Sequence, residues 1–337
     1  MLVSAGLPTC MEGMMYPIPF ASPDDLVRIT RHAETLGYHS VWGNDHMTTQ
    51  RYVREEFEDP PNFWEPLITY AHLAAHTSKI RFGTGLLITP MRKDIVVAAK
   101  QIATLDHLSR GRFILALGVG AYREEFEALH PGWKANRGEM LDESVQVLHK
   151  LFKERTVSWD GIYYQIQQVE MYPKPYQTEI PIYFGGNNNN ALRRTALFGN
   201  GWLPAGMPIE QLKTKVAFLR ERVEEHGKNF CDIDIAMQLI VSIGRTHESA
   251  LERFQKSQMY KHLLSLNRST LREQVNSKPE DINLIGTAAE VIEKAKQLGE
   301  AGVKHLCGLY FCAENVAELM DQMQIFAEDV MPSLKER

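Results

Sequence analysis

No apolar run in this chain is long enough to cross a bilayer, no cysteine pair forms Cys-x-x-Cys, and basic residues are not in excess. The first absence argues against a membrane-spanning protein. The four cysteines, Cys10, Cys231, Cys307 and Cys312, have no histidine near at zinc-ligand spacing. They read as reduced, mostly packed thiols of a cytoplasmic protein, not as a disulfide framework or a metal site. A net charge of −5 with the signs interspersed leaves no basic stripe for a nucleic acid. Gly-x-Ser-x-Gly, His-Glu-x-x-His, the EF-hand loop, the P-loop and the dinucleotide fingerprint are all missing. Serine hydrolases, zinc proteases and classical NAD enzymes therefore have little support. Residues 1–20 carry no basic n-region, so the opening MLVSAGL reads as a first strand and not as a signal peptide.

What is present is a rhythm of short apolar strands and amphipathic helices. The 337 residues, 44% hydrophobic, suit one large α/β barrel or two ordinary domains. Strand-like segments at 2–7, 38–42, 79–88 and 112–119 alternate with helical patterns at 23–36, 65–76, 94–108 and 138–152. Ser22 and Pro23 open the first helix and Gly37 stops it. Residues 157–166 read as a hairpin outside this rhythm, with Asp160-Gly161 as a type I′ turn. Strands at 180–184, 201–204, 233–243 and 305–310 follow, with helices from about 190, at 209–226, at 287–301 and at 314–331. The polar helical stretch from 247 to about 285 is longer than one helix needs. It reads as an insertion able to cover a site, within a single domain spanning 1–337. Eight such units suit a (β/α)8 TIM barrel with insertions, and a doubly wound sheet would use the same units.

Three clusters carry candidate chemistry, each at the carboxyl end of a strand, where α/β folds bind ligands. Asn44-Asp45-His46 follows the second strand, and histidine is suited to moving protons near neutral pH. Gly118-Val119-Gly120-Ala121 follows the fourth; its glycines suit a flat ring against the backbone. Arg123 there suits an anion, and Glu124 and Glu125 read as general acids, caps or solvated charges. Gly185-Gly186 and the run Asn187, Asn188, Asn189, Asn190 precede a helix, and free N–H groups at such an end suit a phosphate. Arg193 and Arg194 lie in its first turn, where the helix dipole disfavours a cation that meets no anion. Met11, Met14, Met15, Tyr16 and Phe20 read as a pocket lining, a lid or a subunit contact.

The motifs AETLGYHSVWGNDH, FGTGLLITPMR, ATLDHLSRGRF with its Gly-x-Gly, PKPYQ, PIYFGG and GTAAEVIE resemble, in order, those of the luciferase-like monooxygenase superfamily. The Thr-Pro-x-Arg turn, the Glu-Glu-Phe after strand four and the Arg-Arg after the double glycine resemble its deazaflavin-dependent branch. That resemblance implies a (β/α)8 barrel using coenzyme F420 for hydride transfer to or from a small organic molecule. The alternatives are an FMN-dependent monooxygenase served by a flavin reductase, and a non-catalytic flavin-binding protein. It also implies a homodimer. By position it makes His46 catalytic and sets Asp45 against the cofactor ring or its ribityl chain. Gly85-Leu86 would be a non-proline cis peptide bulging toward that ring, with Gly120 and Ala121 at the ring edge. Gly185, Gly186, Asn187, Asn188 and Asn189 would hold the phosphate. Sugar-phosphate dehydrogenases of the branch carry an acid just beyond Gly-x-Gly, for which Arg123 and Glu124 compete here; Glu124 is the candidate catalytic acid. They also place an aromatic four residues after the histidine, where this chain has Gln50, which disfavours a sugar-phosphate substrate.

Overall fold

The strands that read as near-continuous apolar runs close on one another. A computed structural model describes residues 1–266 and 277–335. Its strands are β1 Leu2–Leu7, β2 Ser40–Gly43, β3 Arg81–Thr84, β4 Phe113–Leu117, β5 Val157–Asp160, β6 Gln165–Val169, β7 Ile182–Gly185, β8 Gly201–Leu203, β9 Asp234–Ile243, β10 Leu284–Gly286 and β11 His305–Phe311. The parallel order β1-β2-β3-β4-β7-β8-β9-β11 returns to β1, with Leu2 beside His305 and Gly201 beside Asp234. Among the described residues, eight parallel strands thus form a closed barrel ringed by helices, a (β/α)8 fold with insertions. β10 adds to the far end of β9, and β5 and β6 form a separate hairpin.

The barrel interior is filled, as the fold requires. Trp42, Ile114, Ala116, Tyr183, Leu203, Ala236 and Cys307 form one inward cluster. Gly83 makes room for the largest of them: a Cβ there would lie 2.3 Å from the Trp42 ring. The larger apolar core lies between strands and outer helices. At the amino end of the barrel, buried His305 bridges Asp234 (Nδ1–Oδ2 3.1 Å) and Ser4 (Nε2–Oγ 2.6 Å).

Helices begin and end as their caps dictate. Helix α1, Pro23–Leu36, has a capping box from Ser22 and Asp25 and stops at Gly37 in the left-handed region. Two short helices on the loops after strands went unread in the sequence: α2, Arg51–Glu56, and, after α3 (Pro66–Ala75) and α4 (Ile95–Leu108), α5, Arg123–Leu129. Their brevity hides any period. Next come α6 Arg137–Lys153, α7 Asn189–Phe198 and α8 Ile209–Glu225.

Three local expectations are corrected. The third strand stops at Thr84 and not at 88, because a cis peptide at Gly85-Leu86 leaves the strand path and a 3-10 turn, Thr89–Met91, follows. The hairpin does not turn on Asp160-Gly161. It turns over residues 161–164, closed by Gly161 N–H on Tyr164 O, and neither Asp160 nor Gly161 has a positive φ. The cause is Glu143 of α6, whose carboxylate accepts from Trp159 Nε1, Tyr163 N and Tyr164 N and shapes the loop from outside. The stretch from 247 is not all insertion: α9, His247–Lys256, buries Ala250 and Phe254 and packs on β9 and β10 as an ordinary barrel helix. Helix α10, Gln258–Leu266, is the part that reaches the mouth, where His262 meets Tyr52 of α2 at 2.9 Å. Residues 267–276 of the expected covering segment lie outside the described residues. Helix α11, Pro279–Ile282, leads to β10; α12, Ala288–Glu300, and α13, Val316–Ile325, complete the ring.

Candidate active site

The carboxyl ends of β2, β3, β4, β7 and β8 and the loops after them, with Gln238 from within β9, enclose a cavity of about 910 Å³, within the size of sites that hold cofactors. It is lined by His46, Glu124, Glu125, Gly85, Leu86, Gly120, Ala121, Gly185, Gly186, Asn187 and Asn188. The expected clusters therefore converge on one site. Asn189, the first residue of α7, is exposed and is not part of the lining.

His46 is held by a carboxylate that arrives from β4. Its Nδ1 lies 3.1 Å from Glu125 Oε2, and the other Glu125 oxygen accepts the N–H groups of Met47 and Thr48. Glu125 is 1% exposed. This carboxylate fixes the ring and the proton on Nδ1, which leaves Nε2 for the cavity. Gln50 Nε2 also lies 3.1 Å from Nδ1, while Gln50 Oε1 is buried without a partner. Rotating that amide would give Nδ1–H a second acceptor, in exchange for the Nε2 bond to Thr48 O at 3.4 Å. Glu124, the acid expected from the sequence, has another contact. It sits on the rim and accepts the Arg51 N–H at 2.8 Å, capping α2, whose own N-cap Gln50 makes no side-chain bond to the first-turn N–H groups. Both acids stand in the first turn of α5, and only Glu125 shares its buried face with Phe126.

Asp45, expected against a cofactor, lines the cavity with both oxygens already engaged. Arg92 binds it through two nitrogens, and Ile88 N donates at 2.9 Å. Arg92 continues to Glu65 at 3.1 Å. Burial works against the Arg92 charge, yet Asp45 and Glu65 hold its pKa above the ordinary value. Asp45 thus ties the loop after β2 to the turn after β3.

The glycines of the site make space for a side chain. A Cβ on Gly118 would lie 2.4 Å, and one on Gly185 2.3 Å, from Leu86 Cδ1. The Gly85-Leu86 cis peptide therefore delivers Leu86 into a saddle between two strand ends, where an approaching ring was expected. At the far end, Gly186 O accepts from Trp202 Nε1, and the Asn187 amide pairs with both backbone groups of Ala205. Asn188 caps α7. These side chains are spent, but the backbone N–H groups of Asn187, Asn188 and Asn189 donate to nothing described. Arg194 lines the cavity while bonded to Asp142; Arg193 stays at the surface.

Sequence reasoning missed three contributors. Arg137 comes from α6 and bonds Gly120 O at 3.0 Å. Tyr122 packs on His46, and burial pushes its phenol up to about 12, so it stays neutral. Gln238 of β9 lies under the cavity with a buried Nε2 that donates to nothing. No motif marks any of the three. The buried, unsatisfied donor is a structural signal only.

A family model described as luciferase-like monooxygenase matches residues 3–305. An F420-dependent glucose-6-phosphate dehydrogenase of Amycolatopsis mediterranei (strain U-32) is 27% identical over 328 residues, covering 93% of this chain and 95% of that protein. Among solved structures, an F420-dependent secondary alcohol dehydrogenase in complex with an F420-acetone adduct superposes with a TM-score of 0.81 at 21% identity, covering 99% of both chains. A monooxygenase from Streptomyces bottropensis gives 0.82 at 21%, covering 99% of this chain and 100% of the other. At such identities the structural likenesses speak for the fold.

Proposed function

This chain belongs to the luciferase-like monooxygenase family, and from that premise we propose that it is an oxidoreductase that uses coenzyme F420 to move a hydride to or from a small organic substrate. The observation that carries the reading is the His46–Glu125 pair beside a cavity that runs on to a phosphate-type cradle. F420-dependent relatives that align over most of the chain support the cofactor.

The residues present fit such a group. The loop after β7 has unspent N–H groups at a helix end with Arg194 beside it, as a phosphate needs. Gln238 holds an orphaned donor against Gly85, where a polar ring edge would satisfy it. Gly185, Gly186, Asn187 and Asn188 would hold the phosphate, and Leu86, Gly120 and Ala121 the ring. Asp45 would steady the turn after β3, on the ring side, through Arg92. When bound, the deazaflavin supplies a carbon that gives or accepts a hydride.

Everything else falls to the protein. His46 Nε2 takes the proton from a substrate hydroxyl, or returns it to a carbonyl oxygen, in step with the hydride. Glu125 keeps the ring aimed and stabilises the imidazolium that forms. Tyr52, Tyr122 and α10 crowd the mouth and keep water from the reacting atoms. Three buried thiols support a reducing, cytoplasmic setting. Exposed Ile68 on α3 and Val97 on α4 support a homodimer through those helices.

Titration of the purified protein, followed by tryptophan fluorescence, tests the cofactor; Trp202, bonded to the cradle, is the reporter. Oxidised F420 is expected to bind with a Kd of about 1 μM (near −8 kcal/mol), and FMN in either redox state far more weakly. Binding of reduced FMN alone, with oxygen uptake, would replace this reading with a monooxygenase.

A further inference from the structure

Gln50 holds the N-cap position of α2 without capping it. A side chain there usually turns back to accept the first free N–H groups of its own helix. Gln50 turns inward instead, is 1% exposed, and leaves the Arg51 N–H to Glu124. Its amide stops 3.1 Å from His46 Nδ1, as near as Glu125 Oε2 on the same nitrogen.

One nitrogen cannot satisfy both neighbours as they stand, because Nδ1 carries either a proton or a lone pair. With a proton it serves Glu125 and sets its N–H against the N–H groups of Gln50. With a lone pair it accepts from Gln50 Nε2 and faces a buried carboxylate oxygen. That second setting also places the proton of the neutral ring on Nε2, where it blocks uptake of another from a substrate. Turning the Gln50 amide over removes the conflict, since Oε1 then accepts from Nδ1–H beside Glu125. The amide gives up only the bond to Thr48 O, which at 3.4 Å is long for its kind. The number of unpartnered amide atoms does not rise: Oε1 has no partner now, and Nε2 takes its place.

We propose that Gln50 is a positioning residue that presents Oε1 to His46 and, with Glu125, keeps the resident proton on Nδ1, so that Nε2 alone exchanges protons with the substrate. The role rests on the reading of His46 as the residue that moves the proton. An imidazolium gains more from each acceptor than a neutral ring does, so a second acceptor also makes His46 the stronger base. The other groups around the ring are engaged elsewhere. Asp45 is held by Arg92 and Ile88 N, and Arg137 by the carbonyls of Gly120 and Tyr122. Tyr52 and His262 bond each other, and Cys10 Sγ donates to the backbone oxygens of His46 and Trp64. Phe63 and Tyr122 meet His46 ring to ring.

Long-range proton–nitrogen NMR on protein labelled at its histidine nitrogens reads which ring nitrogen carries the proton, and His46→Asn assigns the signals. Neutral His46 of the wild type is expected with its proton on Nδ1, both alone and with F420. Gln50→Met keeps the length and removes the acceptor. It should bring in a form protonated on Nε2 and move the His46 titration down by about 0.5–1 pH unit, the difference one hydrogen bond to a charged group makes. Gln50→Glu restores an acceptor and should return the Nδ1 form and move the titration up. A wild type protonated on Nε2, or a tautomer and titration unchanged in Gln50→Met, would overturn the proposal. Should Gln50→Met not fold, a titration that fails to rise in Gln50→Glu overturns it equally. A protein with the expected tautomers that does not bind F420 would instead overturn the cofactor reading and leave the role of Gln50 standing.

Discussion

Glu124 and Glu125 are neighbours in sequence and opposite in situation. Glu124 is 36% exposed in its side chain and caps a short helix, whereas Glu125 is buried against His46. Glu125→Gln removes the charge and one of the two acceptor oxygens that serve His46 Nδ1 and the Met47 and Thr48 N–H groups, and should lower kcat by about 100-fold or more, with F420 affinity kept and the pH–rate profile altered. Glu124→Gln should stay within about 3-fold in kcat and, because its amide oxygen can still accept the Arg51 N–H, should leave stability nearly unchanged. Steady-state kinetics on the two variants decide it; equal effects would put the catalytic acid back on the rim. The sequence could place both acids beyond the Gly-x-Gly, but choosing between them needs the phase of α5. That helix has only 7 residues, too few to display a period. The histidine was easier to read because it follows a strand whose end faces the site.

Among elements, the tie between the loop after β2 and the turn after β3 matters most to the site. Asp45 and Arg92 are 1% and 10% exposed in their side chains. Removing one member of such a pair leaves the other charge uncompensated. Asp45→Ala should therefore destabilise the protein by about 3–5 kcal/mol in urea unfolding, and Asp45→Ala with Arg92→Met should recover much of that. A double variant as unstable as the single would show that the pair is not the cause. The Thr-Pro-x-Arg motif was legible as a family signature, whereas its partner was not, since Arg92 and Asp45 are 47 residues apart. The glycines were legible as close-approach positions. That Leu86 approaches Gly118 and Gly185 depends on a backbone excursion in the neighbouring strand, which no local pattern encodes.

At the scale of the whole molecule, acid should unfold the barrel from both ends. Burial lowers His262 at the mouth to about 3, and burial with the charges of His305 and Arg81 lowers His39 at the base to about 4. In the unfolded chain both would titrate at about 6.5. The unfolded state therefore binds more protons below that value, and stability falls as pH drops from about 6.5 through 4 toward 3. Asp234 acts in the same direction. Burial opposes its charge, but His305 and Tyr183 hold its pKa below the ordinary value, and that contribution is lost as pH falls through it. Urea midpoints between pH 8 and 3 should decline on this limb, and His262→Gln should make the decline shallower. A flat wild-type midpoint from pH 7 to 4 would contradict the assignment.

The closure of the barrel also sets a schedule for its synthesis. β1 leaves the ribosome long before one of its two partners, β11, since Leu2 pairs with His305. At about 5–20 residues per second, the edge of β1 that β11 will cover waits on the order of 15–60 s. Every residue of that strand after Leu2 is buried in the finished protein. For that interval the nascent chain presents an apolar, unpaired strand edge, the form most prone to join another chain. Yield in the cell should then depend on translation speed and on chaperones that hold the amino-terminal half, more than on the stability of the finished barrel.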